Sequence, residues 1–186
     1  ELIGGDTTHG PLNLSVTILR EVPQGKALRR DGAQQGDEIW VSGRLGDAAL
    51  ALAHLQGRLI LDEACFNSTA IALYRPAPRV ALGMALRGIA HSAIDISDGL
   101  LADLGHILER SELAAELQFD KLPVSACLNP YLARELGIQC ALAGGDDYEL
   151  CFTAPVVQHA EIEKLSVQLN LRLTCIGRIA AGTGCK

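Results

Sequence analysis

The amino-acid sequence predicts an α+β fold, and three observations lead there. Short runs of β-branched and aliphatic residues are interspersed with stretches of helical period. Their order is irregular and lacks the strict strand-helix alternation of a doubly wound sheet. Of the 186 residues, 48% are hydrophobic and 20% charged, a composition able to bury a core.

The opening Glu1-Leu2-Ile3-Gly4-Gly5-Asp6 reads as the end of a strand whose domain lies upstream. Leu12 to Val22 is rich in aliphatic and β-branched residues, which predicts a strand, and Pro23-Gln24-Gly25 breaks it. Lys26 to Gly36 is polar with two glycines and is expected to be a linker, so the chain divides into residues 1–24 and 25–186. Asp37 to Ser42 predicts a buried strand, which Gly43 to Asp47 turns into a helix over Ala48 to Leu55. Gln56 to Ser68 carries no clear period; a helix follows, interrupted at Arg75-Pro76-Ala77-Pro78-Arg79. Pro78 suits the first turn of a new helix that runs to about Ile89. Ser92 to Ile96 predicts a strand, and Leu100, Leu104, Ile107 and Leu108 keep the 3.6-residue period of a helix. Further strands are expected at Ala115 to Phe119, Tyr148 to Thr153 and Thr174 to Ile179. Helices are expected around Tyr131 to Leu136 and over the segment holding Ile162, Leu165, Val167 and Leu169.

Several functions are excluded early. The formal net charge is -6, from 22 acidic against 16 basic residues, with no basic run longer than Arg29-Arg30, so no nucleic-acid footprint is present. Six cysteines show neither CxxC spacing nor a paired histidine cluster, which argues against zinc and thioredoxin-like chemistry. Reduced, mostly buried thiols in a cytoplasmic protein are expected. No apolar run is long enough for a membrane helix, and neither a GxxxxGK[ST] loop nor the protein-kinase signatures occur.

The chemistry gathers where apolar segments end in glycine or small residues beside aspartate. These are Gly4-Gly5-Asp6-Thr7-Thr8, Asp95-Ile96-Ser97-Asp98-Gly99-Leu100 and Gly144-Gly145-Asp146-Asp147-Tyr148-Glu149. Glycine lets a phosphate or metal approach the backbone, and carboxylates are the hard oxygen ligands that magnesium prefers. One such turn is ordinary turn chemistry; three together point to a magnesium-nucleotide site. Asp95, between Ile94 and Ile96, projects from the opposite strand face. Ser97 or Asp98 is placed to cap the following helix. That helix N-terminus attracts phosphate while the two carboxylates repel it, a conflict that a bridging Mg²⁺ resolves. His9 and His106 have no partner at metal-ligand spacing and are read as ordinary polar positions.

The set GGDTT, DEIWVSG, RPAPR, AIDISDGLLADLGHI and GGDDYELCF, in this order and spacing, resembles the bacterial thiamine-monophosphate kinases from Gly4 to about Gly177. The resemblance implies the C-terminal domain of the aminoimidazole ribonucleotide synthetase-like superfamily, preceded by the last strand of a truncated N-terminal domain. It implies ATP and Mg²⁺ bound between two such domains, and a homodimer formed through the N-terminal one. On matching positions it implies that Gly5, Asp6, Arg30 and Ser97 contact ATP, that Asp6, Asp95 and Asp98 ligate Mg²⁺, and that Asp146 contacts thiamine monophosphate. The family usually carries Glu at that last position. Its upstream GDD-type and STDT-type motifs and its C-terminal aromatic segment are not in this chain.

The implied reaction is in-line transfer of the ATP γ-phosphoryl group to a phosphate oxygen of thiamine monophosphate, giving thiamine diphosphate. A phosphate monoester is largely dianionic at neutral pH, so no general base is nominated. The obstacle is charge: two unit charges about 4 Å apart repel by roughly 4 kcal/mol at an effective dielectric near 20. Metals and Arg30 would offset it. The 186 residues alone are expected to be inactive. The competing expectations are a superfamily relative that activates a carbonyl or amide oxygen, and a non-catalytic nucleotide-binding module.

Overall fold

The structure, a computed structural model, describes residue 17 and residues 21–185. The expected strand at Leu12 to Val22 lies almost wholly outside the described residues, as do Gly5, Asp6 and His9. Chain order is β1 (Glu38–Ser42), α1 (Asp47–Leu55), α2 (Glu63–Tyr74), α3 (Val80–Ala85), β2 (Ser92–Ile96), α4 (Leu100–Ser111), β3 (Ala114–Leu117), α5 (Glu135–Ala143), β4 (Glu149–Ala154), α6 (His159–Gln168), β5 (Leu173–Ala180) and β6 (Gly184–Cys185). Among the described residues the strands form one sheet in the order β2-β4-β1-β5-β3-β6. Its pairings are antiparallel except that of β3 with β6.

Strand alternation divides the core into two clusters, one on each sheet face. Ile39, Val41, Ile94, Ile96, Cys151 and Ile176 pack with α1, α4 and α5. Trp40, Phe152 and Ala154 pack with Leu82 and Leu86 at α3 and with Ile162 and Leu165 of α6. All five residues of β1 are buried because it is central and covered on both sides. Asp95 shares its face with Ala93, which packs against the α3 cluster, while Ile94 and Ile96 point to the other side.

The helix and strand assignments hold in kind and shift at their ends. Asp62 caps α2 by accepting from the Cys65 N–H at 2.8 Å, which places a helix start inside the stretch without a clear period. The helix after the prolines begins at Val80 with Arg79 as its cap, and ends at Ala85. The strand expected to reach Phe119 stops at Leu117, and Phe119–Lys121 is a 3₁₀ turn. Near Tyr131 the chain forms a 3₁₀ turn at Asn129–Tyr131, and the α-helix starts at Glu135. The expectation of uniformly reduced thiols is corrected: Cys65 at the start of α2 and Cys127 form a disulfide, with Cα atoms 5.5 Å apart. These residues are 62 positions apart in sequence, and only the packing of α2 against the Ser125–Leu128 segment brings them together. Cys140, Cys151, Cys175 and Cys185 are free, the last of them exposed.

Candidate active site

Two turns carry the site. The first, Ser97-Asp98-Gly99, joins β2 to α4; the second, Gly144 to Tyr148, joins α5 to β4. Because β2 and β4 pair, Ile96 opposite Glu149, their turns emerge side by side. The Asp146 N–H donates to the Ser97 carbonyl at 2.9 Å, and the Tyr148 N–H donates to the Ile96 carbonyl at 2.8 Å. Gly99 makes this approach possible. Its φ is 114°, and a Cβ there would lie 2.8 Å from the Ala143 carbonyl carbon.

The cap on α4 reverses the expectation. Neither Ser97 nor Asp98 caps the helix with its side chain; Gly99 occupies the cap position. Instead the buried Asp103, in the first turn of α4, reaches back, and its Oδ2 accepts from the Ser97 N–H at 2.9 Å and the Asp98 N–H at 3.0 Å. The side chains of Ser97 and Asp98 are thereby left for other partners. Asp103 was not singled out in the sequence because it sits inside an amphipathic helical pattern.

Asp95, Asp98 and Asp146 each lie near enough to Tyr148 for their charges to act on its phenol. The Tyr148 hydroxyl donates to Asp146 Oδ1 at 3.4 Å. Its phenol is held above the ordinary range first by the charge of Asp146, then by partial desolvation and that hydrogen bond, and also by the charges of Asp95 and Asp98. A single phenol feels all three carboxylates. Asp146 and Tyr148 both adopt left-handed backbone conformations, with φ of 68° and 49°. Such conformations cost on the order of 1–3 kcal/mol each and persist where the surroundings fix them.

Those surroundings include three buried acids, Asp147, Asp47 and Glu149, to none of which the sequence alone assigns a separate role. Asp147 turns inward, and both of its carboxylate oxygens accept from the Gly46 N–H ahead of α1, at 3.0 and 2.9 Å. Burial pushes its pKa from 3.8 up to about 8; the Gly46 N–H opposes this, while Asp47, Glu149 and Asp146 add to it. Asp47, in the first turn of α1, is also raised by burial, against the Ser125 hydroxyl that donates to it at 2.5 Å and the nearby charge of Arg44. Glu149 is buried and accepts from the Ser42 hydroxyl at 2.5 Å, from Arg79 Nε at 2.6 Å and from Arg79 Nη2. The signal for this last group was present in the RPAPR and GGDDYEL runs, although no spacing rule links them across 70 residues.

Two clefts meet at Asp95. One, of about 420 Å³, has a basic wall of Lys26, Arg29, Arg30 and Arg87. Arg30 is tied to the end of α4 through its carbonyl, which accepts from the Ser111 hydroxyl at 3.3 Å. The other, of about 450 Å³, is bounded by Pro76, Pro78, Val80, Leu150, Arg79 and Tyr148. The structure thus brings together Asp95, Ser97, Asp98 and Asp146, and Arg30 lines the same cleft as Asp95. Gly5 and Asp6 lie outside the described residues.

The donor set suits a hard divalent cation of one kind. Among the described residues no three His, Cys, Asp or Glu side chains close on one point, so an all-protein cage is absent from them. Magnesium commonly takes one or two carboxylates and completes its shell with water and phosphate oxygens. The exposed carboxylates of Asp95 and Asp98 fit that arrangement.

No protein-family model matches the chain. Curated relatives do. The thiamine-monophosphate kinase of Escherichia coli K12 is 45% identical over 182 residues, covering 97% of this chain and 56% of the relative. That of Haemophilus influenzae is 46% identical over 182 residues, covering 96% and 54%. The chain therefore spans about half the length of the curated relatives it matches. Among solved structures, thiamine-monophosphate kinase from Stenotrophomonas maltophilia K279a superposes with a TM-score of 0.83 at 53% identity, over 88% of this chain and 54% of that one. AaThiL complexed with AMPPCP and TMP superposes at 0.70 with 35% identity, over 86% and 50%. Escherichia coli HypE, a hydrogenase maturation protein, shares the fold at 19% identity with a TM-score of 0.69. The expected α+β, aminoimidazole ribonucleotide synthetase-like fold is borne out. With 45% identity sustained over nearly all of its residues, the chain is homologous to a stretch that makes up about half the length of the thiamine-monophosphate kinases.

Proposed function

We propose that the protein to which this chain belongs transfers the γ-phosphoryl group of ATP to thiamine monophosphate, forming thiamine diphosphate. The observation that carries the reading is the joining of the Ser97–Gly99 and Asp146–Tyr148 turns, which sets Asp95, Asp98 and Asp146 around the Tyr148 phenol. A family structure described with both AMPPCP and TMP supports the pair of substrates.

The roles of the residues follow from their chemistry. Asp95 and Asp98 would hold Mg²⁺, with Asp6 as a third ligand from the preceding segment. Bound there, the cation neutralises phosphate charge and aligns the two anions. Ser97, whose N–H the Asp103 carboxylate engages, offers its hydroxyl to ATP, and Gly5 and Asp6 would add further ATP contacts. Arg30, which lines the same cleft as Asp95, pairs with phosphate oxygens. Asp146 contacts thiamine monophosphate, whose thiazolium ring is cationic and suits a field set by three carboxylates. The acceptor dianion needs no proton removed, so no residue acts as a general base.

The proposal divides the chain into residues 1–24, belonging to an N-terminal ATP-binding domain, and residues 25–186, belonging to the C-terminal domain. It includes a homodimer built through the N-terminal domain, a cytoplasmic location and inactivity of the 186 residues alone. The test uses protein lengthened at both ends to match its relatives, supplied with ATP and Mg²⁺, and follows thiamine diphosphate by chromatography. Stoichiometric ADP and thiamine diphosphate that require thiamine monophosphate are expected. ATP consumption indifferent to thiamine monophosphate would refute the reading.

A further inference from the structure

We infer that Arg79 is a positioning residue for the acceptor subsite: its guanidinium, forked onto Glu149, fixes the Asp146–Tyr148 turn in the shape that presents Asp146 to substrate. The inference rests on the function proposed above, in which Asp146 meets thiamine monophosphate.

Glu149 is the first residue of β4 and directly follows the turn. Its carboxylate is buried and fully engaged: Arg79 binds both oxygens through Nε and Nη2, and the Ser42 hydroxyl at the end of β1 donates to Oε2. Ser42 Oγ in turn accepts from the Leu150 N–H at 2.9 Å, so the arrangement closes back on β4 itself. Gly43 leaves the necessary room, since a Cβ there would collide with the Glu149 carboxylate. A planar two-pronged donor fixes a carboxylate in orientation as well as in distance, which a lysine ammonium cannot do.

Position matters here because the turn is conformationally costly. Asp146 and Tyr148, on either side of the inward-facing Asp147, both hold positive φ. The N-terminal side of the turn is tied by the Asp146 N–H to Ser97, its middle by Asp147 to Gly46, and its exit by Tyr148 to Ile96. Arg79 and Ser42 supply the tie that immediately follows the exit. Arg79 also brings α3 and the preceding prolines to this point, because it occupies the N-cap position of that helix and lines the cleft shared by Asp95 and Tyr148. With the fork lost, the turn is released toward ordinary backbone conformations, and Asp146 and Tyr148 leave their places.

Two measurements decide it. In the 186-residue chain, amide hydrogen exchange at Asp146 and Tyr148 is compared in wild type, Arg79→Lys and Arg79→Gln, with the Leu50 amide of α1 as a control. Exchange at both turn amides should speed up by at least about tenfold in Arg79→Gln and by less in Arg79→Lys, with Leu50 unchanged. Unaltered exchange at the turn, or equal loosening at Leu50, overturns the inference. In the lengthened protein, the same variants should raise KM for thiamine monophosphate by at least about fivefold while KM for MgATP stays within about twofold. A parallel rise of both constants, or a fall in kcat alone, would show a merely structural role and also overturn it. Wild-type protein without thiamine-monophosphate-dependent turnover would defeat the proposed function, while the exchange data would still decide whether Arg79 fixes the turn.

Discussion

Replacing Asp147 with Asn should make stability less sensitive to pH, and the size of the change can be worked from the site. Asp147 is 8% exposed, its hydrogen-bond donor is the Gly46 N–H, and its neighbours Asp47, Glu149 and Asp146 are acidic. Its pKa therefore stands at about 8, against an ordinary 3.8. In the folded state the group keeps a proton that the unfolded chain has already released. The folded state binds more protons across that interval, so stability falls as pH rises from about 4 to about 8 and levels off above. Each pH unit within the interval costs at most about 1.36 kcal/mol. Between pH 5 and pH 8 the wild type should lose up to roughly 4 kcal/mol that the Asn variant, unable to ionise, retains. Other titrating groups are common to both proteins and cancel in the difference. Urea unfolding at pH 5, 6, 7 and 8 gives this difference directly, and the Asn variant should gain on the wild type as pH rises. A pH-independent difference, or one that favours the wild type as pH rises, would refute the assignment of a protonated carboxyl at this turn.

Other outcomes follow from the same geometry. Gly99→Ala should destabilise by about 3 kcal/mol in chemical unfolding, since alanine meets both the 114° φ and the Ala143 backbone; a loss below about 1 kcal/mol would contradict the close approach of the two turns. Alkylating the unfolded, unreduced chain should modify four cysteines and spare Cys65 and Cys127, as read by peptide mass, whereas six modified thiols would contradict the disulfide. Asp146→Asn should lower the pKa of the Tyr148 phenol toward its ordinary value in a spectrophotometric titration, because the charge of Asp146 is the leading cause of the upward displacement. An unmoved titration would detach Asp146 from the phenol.

What the sequence made legible was local. The Ser92 to Ile96 strand emerges with the predicted residues because Ile94 and Ile96 face one core and Asp95 the other side. The α4 helix follows from its apolar period, and the Asp-bearing turns follow from glycine beside acid. Their adjacency was not legible, since it depends on β2 pairing with β4 across more than fifty residues of intervening chain. For the same reason Arg79 and Glu149, 70 residues apart, gave no sign of forming one partly buried ion pair. Asp147 looked like a second copy of Asp146, and only the left-handed backbone at Asp146 and Tyr148 turns one carboxylate outward and the other inward. Asp103 was hidden by a helical pattern that reads correctly without it. The Cys65–Cys127 pair was missed because pairing depends on the three-dimensional approach of two segments, and no short spacing announced it. Element ends moved where 3₁₀ turns, at Phe119–Lys121 and Asn129–Tyr131, took up residues that propensity assigns to strand or α-helix.

Magnesium dependence provides the most direct test of whether Asp95 and Asp98 place phosphate-bound cations. In protein extended to the length of its relatives, thiamine diphosphate formation is titrated with Mg²⁺ for wild type, Asp95→Asn and Asp98→Asn, and thermal unfolding is measured in parallel. Both side chains are exposed, so unfolding temperatures should stay within about 2 °C. Half-saturating Mg²⁺ should rise at least about tenfold or turnover should collapse. Wild-type rates in both variants at limiting Mg²⁺ would contradict the account.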